Sequence, residues 1–201
     1  MKSIDYQTLV TQKAMVGDHI TYLEKLNTIE WKQKREIILE RDGRCCTNCK
    51  VESSTFINGS AWRDMTAEEK ADYDLQFYSE LEKYFDLYNI PKKLRMRVKP
   101  AEPMKEVADP IFLHVHHLYY INNKLPWEYD NKALITLCHN CHQLVHDVTD
   151  IPVYQTEKKD VELQLTKCNR CSGSGYLPKF HYYHDGICFG CDGNKYNEFI
   201  E

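Results

Sequence analysis

The sequence predicts an α+β protein in which a β-hairpin followed by a helix forms the core, with N-terminal helices, a helical insert and a C-terminal cysteine knuckle around it. Three observations carry this expectation. Between Phe112 and His146 the chain gathers six histidines and two cysteines. Eight of the nine cysteines fall into Cys-x-x-Cys pairs. Apolar residues elsewhere recur at helical steps of three and four.

The composition supports a folded chain. Its 201 residues suffice for one sizeable domain, or a domain with a small appendage. Hydrophobic content of 42%, charged content of 28% and 14 tyrosines argue against wholesale disorder. The opening MKSIDYQTLVTQKAMVGD lacks the apolar core of a signal peptide, and no stretch reaches membrane-spanning length. A cytoplasmic protein without a membrane partner is therefore expected, its cysteines held as thiolates. A net charge of -4 gives no global attraction for phosphate, so nucleic-acid contact would need a local basic surface.

In chain order, residues 1–27 form an N-terminal helical segment. Leu9, Val10, Ile20, Leu23 and Leu26 suggest one or two short helices broken near Gly17 and Asp18. Residues 28–150 form the main domain. Its first helix spans about Glu30 to Glu40, with Thr28 as N-cap, Trp31, Ile37 and Ile38 as apolar positions and Gly43 as the stop.

GRCCTNCK follows, where Cys46 and Cys49 supply half of a tetrahedral zinc site and leave Cys45 over. Cys138 and Cys141 supply the other half. An insert at 51–110 separates them. Thr66 and Glu69 form a capping box for a long helix through Leu75, Tyr78, Leu81, Phe85 and Tyr88. Lys92, Lys93, Arg95, Arg97 and Lys99 then form a basic stretch, with the last three alternating as on a strand. It is the best local candidate for phosphate contact, with a charge-protected edge strand as the plain alternative. Pro100 to Pro110 reads as a loop.

Ile111 to Leu118 is a short apolar strand, Asn122-Asn123-Lys124 a turn, and Ala133 to Leu137 a second strand. A helix should begin at His139. Four-residue spacing places His142 and His146 on one of its faces, suited to an ion beside solvent, while Cys141, Leu144, Val145 and Val148 form another, which should pack the core and close the cysteine zinc site.

EWKQKREIILERDGRCCTNC, VHH and LITLCHNCHQLVH together resemble the HNH endonucleases over roughly Glu30 to Cys49 and Phe112 to Asp147. In that family a ββα-metal hairpin-and-helix unit surrounds one catalytic ion. The resemblance implies a metal-dependent endonuclease that hydrolyses phosphodiester bonds, most readily of double-stranded DNA, leaving a 5' phosphate and a 3' hydroxyl. It makes His117 the general base and His116, His142 and His146 ligands of a divalent ion, Mg2+, Mn2+ or Zn2+. Where the family places a bracing asparagine, this chain has Ala133. Asn131 lies two positions away and is the candidate for that role, with Trp127 and Tyr129 as the alternative. The rival functions are an HNH nuclease acting on RNA and a catalytically degenerate, zinc-dependent DNA- or protein-binding protein.

Residues 151–166 read as a linker to a C-terminal knuckle at 167–201. There Cys168, Cys171, Cys188 and Cys191 have the spacing of a second four-cysteine zinc, so two structural Zn2+ are expected in all. The Cys-x-x-Cys-x-Gly-x-Gly half resembles the cysteine-rich repeats of DnaJ-type chaperones. A metal-stabilised knuckle is the plain reading. A recognition role would use Lys179, His181, Tyr182, Tyr183 and Lys195, and a protein partner would engage this knuckle or the helical insert.

Overall fold

The computed structural model describes residues 3–95, 103–183 and 186–199. The chain forms two compact units, one from 1–53 with 111–201 and the other from 54–110.

The first unit opens with α1 (Tyr6–Val16), capped by the Asp5 side chain on Thr8 N–H and ended by Gly17 in the left-handed region at φ 68°. α2 (Tyr22–Leu26) follows through a capping box between Thr21 and Glu24. α3 (Ile29–Arg41) starts at the expected cap, Thr28. Its buried residues are Trp31, Ile38 and Leu39, which fall on one face at helical spacing. Ile37, expected inside, is exposed because the core-facing stripe runs through Ile38 and Leu39 instead.

The second unit is more than a helix. β1 (Thr55–Ile57) and β2 (Ser60–Asp64) form a hairpin across Asn58-Gly59, both at positive φ, as the right-handed strand twist favours in a two-residue turn. α4 (Ala67–Leu87) has the expected capping box. β3 (Met104–Val107), where a loop was expected, pairs antiparallel with β2. Only Phe85 of α4 is buried, whereas Leu75, Tyr78 and Tyr88 are exposed. Lys92–Leu94 form a 3₁₀ turn rather than the start of a strand. Arg95 pairs with Glu82 and with Asp86 at 2.6 Å and lies over the Phe85 ring, so its charge is already engaged by α4. Arg97 and Lys99 lie outside the described residues.

The chain returns to the first unit with β4 (Leu113–His117), β5 (Tyr120–Ile121), β6 (Leu134–Cys138), α5 (His139–Val148) and β7 (Val153–Tyr154). β4 and β6 pair antiparallel from Leu113 opposite Cys138 to His117 opposite Leu134. Strand alternation sends Leu113, Val115 and His117 one way and His114 and His116 the other. The first set packs with Trp31, Ile38 and Leu39 in the core. The second set faces α5.

β7 lies within the expected linker, pairing parallel with β5. The C-terminal knuckle is docked rather than tethered. Lys167 Nζ donates to the carbonyls of His146 and Thr149 at 3.0 Å, Ser174 Oγ donates to Gln143 at 3.1 Å, and the Tyr196 hydroxyl donates to Ile151 O at 3.0 Å. Among the described residues, no helix is long and apolar enough to cross a membrane.

Candidate metal centre

Three groups of side chains converge with metal-ligand geometry: Cys46, Cys49, Cys138 and Cys141; Cys168, Cys171, Cys188 and Cys191; and His116, His142 and His146. Within each group the ligand atoms lie within 4.8 Å of one another.

The cysteine groups fit zinc by their edges. Sulfurs about 2.3 Å from a tetrahedral zinc stand roughly 3.8 Å apart, far longer than a disulfide. Cys49 and Cys138 are separated by 3.7 Å, Cys168 and Cys188 by 4.0 Å, and Cys171 and Cys191 by 3.8 Å. Donors point at the sulfurs, as thiolate charge requires: Cys141 N–H to Cys138 at 3.4 Å, Asn48 Nδ2 to Cys141 at 3.3 Å and Gly175 N–H to Cys171 at 3.3 Å. Cys45 stays outside, its thiol donating to Asp42 O at 3.2 Å.

The histidine group draws on a strand and a helix. β4 contributes His116, and α5 contributes His142 and His146 one turn apart. Ring centroids are 5.2 Å apart for His116 and His142, 5.0 Å for His116 and His146, and 4.8 Å for His142 and His146. Both ring nitrogens of His116, Nδ1 of His142 and Nε2 of His146 are buried without a hydrogen-bond partner. Orphaned buried polar atoms are costly, and a divalent ion taking one nitrogen from each ring accounts for three of these four. Together the three groups match two structural zinc sites and one catalytic metal site.

This centre is more enclosed than its helix face implied. His116, His142 and His146 are 1%, 6% and 1% exposed, while Leu144 and Val148, expected to pack, face solvent. Burial pushes the pKa of all three histidines down, to about 4 for His116, which keeps them neutral as ligands. His114 stacks on His142 at 5.1 Å and contacts Tyr176 of the knuckle at 4.3 Å, with burial lowering its pKa to about 3.

His117 stands apart from the ligand set. Its ring stacks on Trp31 at 5.4 Å and Tyr120 at 5.3 Å, and meets the edge of Tyr129 at 4.7 Å. Nε2 lies 3.1 Å from Pro126 O, and since a carbonyl only accepts, the proton must sit on Nε2 and leave Nδ1 its lone pair. Burial pushes its pKa to about 3.

The 118–133 connection is held by Leu118 N–H on Ala133 O at 2.9 Å and by Tyr129, whose hydroxyl accepts from Ile121 N–H at 2.7 Å. Asn131 is exposed, and its backbone carbonyl accepts from Arg41. Ala133 is buried in the core.

A cavity of about 650 Å³ opens beside the centre. Its walls include His114, His117 and His142, Trp31 and Arg35, and Lys195 from the knuckle. Lys195, singled out in the sequence for surface recognition, is 7% exposed, unlike Tyr182 and Tyr183 beside it in that reading, which do face solvent. Burial pushes its pKa down to about 7. The sequence carries no signal for this inward turn, because it depends on how the knuckle docks. His114 had one: its strand parity with His116.

Compared with protein-family models, curated proteins and solved structures, the chain matches none. What the geometry itself establishes is a ββα-like metal-binding core carrying two four-cysteine clusters and one three-histidine cluster.

Proposed function

We propose that this chain is a metal-dependent endonuclease of the HNH type that hydrolyses phosphodiester bonds in DNA. One observation carries the reading: three buried histidines converge on one another, and one of them, His142, lines the cavity that His117 also lines from outside their set.

A divalent ion held by His116, His142 and His146 would supply Lewis-acid stabilisation of charge on the phosphate and the departing oxygen. His117 takes the other half of the chemistry. It is neutral at pH 7, its tautomer is fixed by Pro126 O, and Nδ1 is the nitrogen free to accept a proton from water. A bound phosphate anion favours the imidazolium and raises its basicity as substrate arrives. The water oxygen then bonds phosphorus, its proton passes to Nδ1, the bond to the 3' oxygen breaks, and that oxygen takes up a proton from solvent. The products are a 5' phosphate and a 3' hydroxyl.

Asn131 as brace is the weaker element, and Tyr129 carries the packing that the brace would provide. Ala133 at the family's asparagine position favours a second reading, a zinc-dependent binding protein without turnover. Plasmid nicking with magnesium or manganese separates the two. The nuclease reading expects nicking that His117→Ala abolishes while the zinc content stays the same; binding without cleavage under any divalent ion would overturn it. A parallel RNA substrate decides which nucleic acid is cut.

A further inference from the structure

We infer that the C-terminal four-cysteine knuckle completes the cavity as a phosphate-binding site, with the Lys195 ammonium group as the cation that grips a phosphate oxygen. This deepens the nuclease reading and rests on it for the substrate class.

Lys195 is a costly residue to bury. Its amino group lies 3.5 Å from the ring centre of Tyr22 and 4.5 Å from that of Tyr120, a cation held by two aromatic faces from the core. Among the described residues no carboxylate pairs with it, although an enclosed ammonium group ordinarily has one. It lines the same cavity as His117, His142 and Arg35. The one carboxylate in those walls, Glu36, is engaged by Arg44. Its anionic neighbours are the Cys171 and Cys191 thiolates, already committed to their cluster, so an enclosed cation with no carboxylate partner, beside a metal centre, fits a ligand that brings negative charge.

The knuckle's backbone is shaped to deliver this side chain. Lys195 is in the left-handed region at φ 72°, and its carbonyl accepts from Cys168 N–H at 2.9 Å, tying it to the first cysteine pair. Gly175, at φ 73°, lets the turns that follow the Cys171 and Cys191 positions approach closely. A Cβ there would lie 2.8 Å from Gly193 O and 3.2 Å from Lys195 Cγ. The zinc cluster therefore fixes the backbone from which Lys195 reaches the cavity.

The test uses the full chain loaded with zinc. Binding of inorganic phosphate and of a short DNA duplex is measured by calorimetry for wild type, Lys195→Met, Lys195→Gln and Lys195→Arg, with zinc content and circular dichroism as folding controls. Loss of a charge-assisted contact should weaken phosphate binding about tenfold or more in Lys195→Met, while Lys195→Arg retains most of it. Lys195→Gln serves if the methionine variant loses zinc, since it keeps a polar end of similar length. Equal phosphate affinity in wild type and zinc-replete Lys195→Met or Lys195→Gln overturns the inference, as does a wild type that does not bind phosphate. Tighter binding in the variant overturns it too, because the ammonium group would then be occluding the cavity. If Lys195-dependent phosphate binding is found without plasmid nicking, the nuclease reading fails and the phosphate site stands.

Discussion

Trp31 and His117 stack almost parallel, with ring centroids 5.4 Å apart and 16° between their planes. The contact joins α3 to the end of β4 and fixes the orientation of the proposed base. Trp31→Ala should cost about 3–5 kcal/mol of stability, as large-to-small changes at buried aromatics do. Trp31→Phe should keep the stack and most of the stability. Chemical denaturation of both variants checks this, and equal losses would show that the stack has no specific role.

The fold depends on pH through histidines that are buried neutral. His114 and His117 have pKa values near 3 in the folded chain against an ordinary value of 6.5. Above pH 6.5 both states are neutral and neither group affects stability. Below it the unfolded chain takes up protons that the folded chain refuses. Stability therefore falls by up to about 1.4 kcal/mol per pH unit for each group, down to about pH 3. A melting temperature that drops from about pH 7 to about pH 5, and drops less in His114→Phe, is expected. A flat profile would mean these rings are hydrated.

Much of the metal centre was legible in the sequence because ligand pairs are set by local steps. Cys-x-x-Cys needs one tight turn, and His142 with His146 needs one helical turn, so their geometry follows from spacing alone. Thr28 and Thr66 are legible for the same reason, as caps act within three residues. The sheet of the second unit was not legible. β1 and β3 are short and mostly exposed, and β3 finds β2 only across forty residues of chain, so neither shows clear alternation. Leu39 is buried where Ile37 was expected to be, because a helical pattern gives the period of a face but not which neighbour will cover it.

Tyr129 closes the connection between β4 and β6. Its hydroxyl accepts from Ile121 N–H in a buried setting, so Tyr129→Phe leaves that donor unpaired at a cost of about 1–3 kcal/mol. Because the ring edge also meets His117, nicking should fall more steeply in Tyr129→Leu than in Tyr129→Phe. Thermal melts with parallel plasmid assays check both, and no loss in either variant would remove Tyr129 as the brace.

The two cysteine clusters should differ in what their loss does. Cys49 and Cys138 meet across 89 residues of sequence, and Cys46, Cys138 and Cys141 are part of the main core. Cys138→Ser should therefore unfold the first unit. Cys188→Ser should spare β4, β6 and α5 while loosening the knuckle, since the C-terminal cluster has its own small core. Metal analysis with hydrogen exchange resolves the two cases. Equal loss of protection across β4 and β6 in both variants would show that the knuckle and core fold as one.

The histidine centre is separable from both clusters, since it shares no ligand with them. Wild type supplied with manganese should hold three metals, one at each cluster, whereas His142→Ala should lose the exchangeable divalent ion and keep two zincs. Removing one of three ligands while leaving His116 and His146 buried also releases the orphaned ring nitrogens to water admitted by the smaller side chain. The variant should consequently melt close to the metal-free wild type rather than far below it. Plasmid nicking should disappear with the third metal. An unchanged metal count would place the ion elsewhere, and retained nicking with two metals would move the chemistry away from His142.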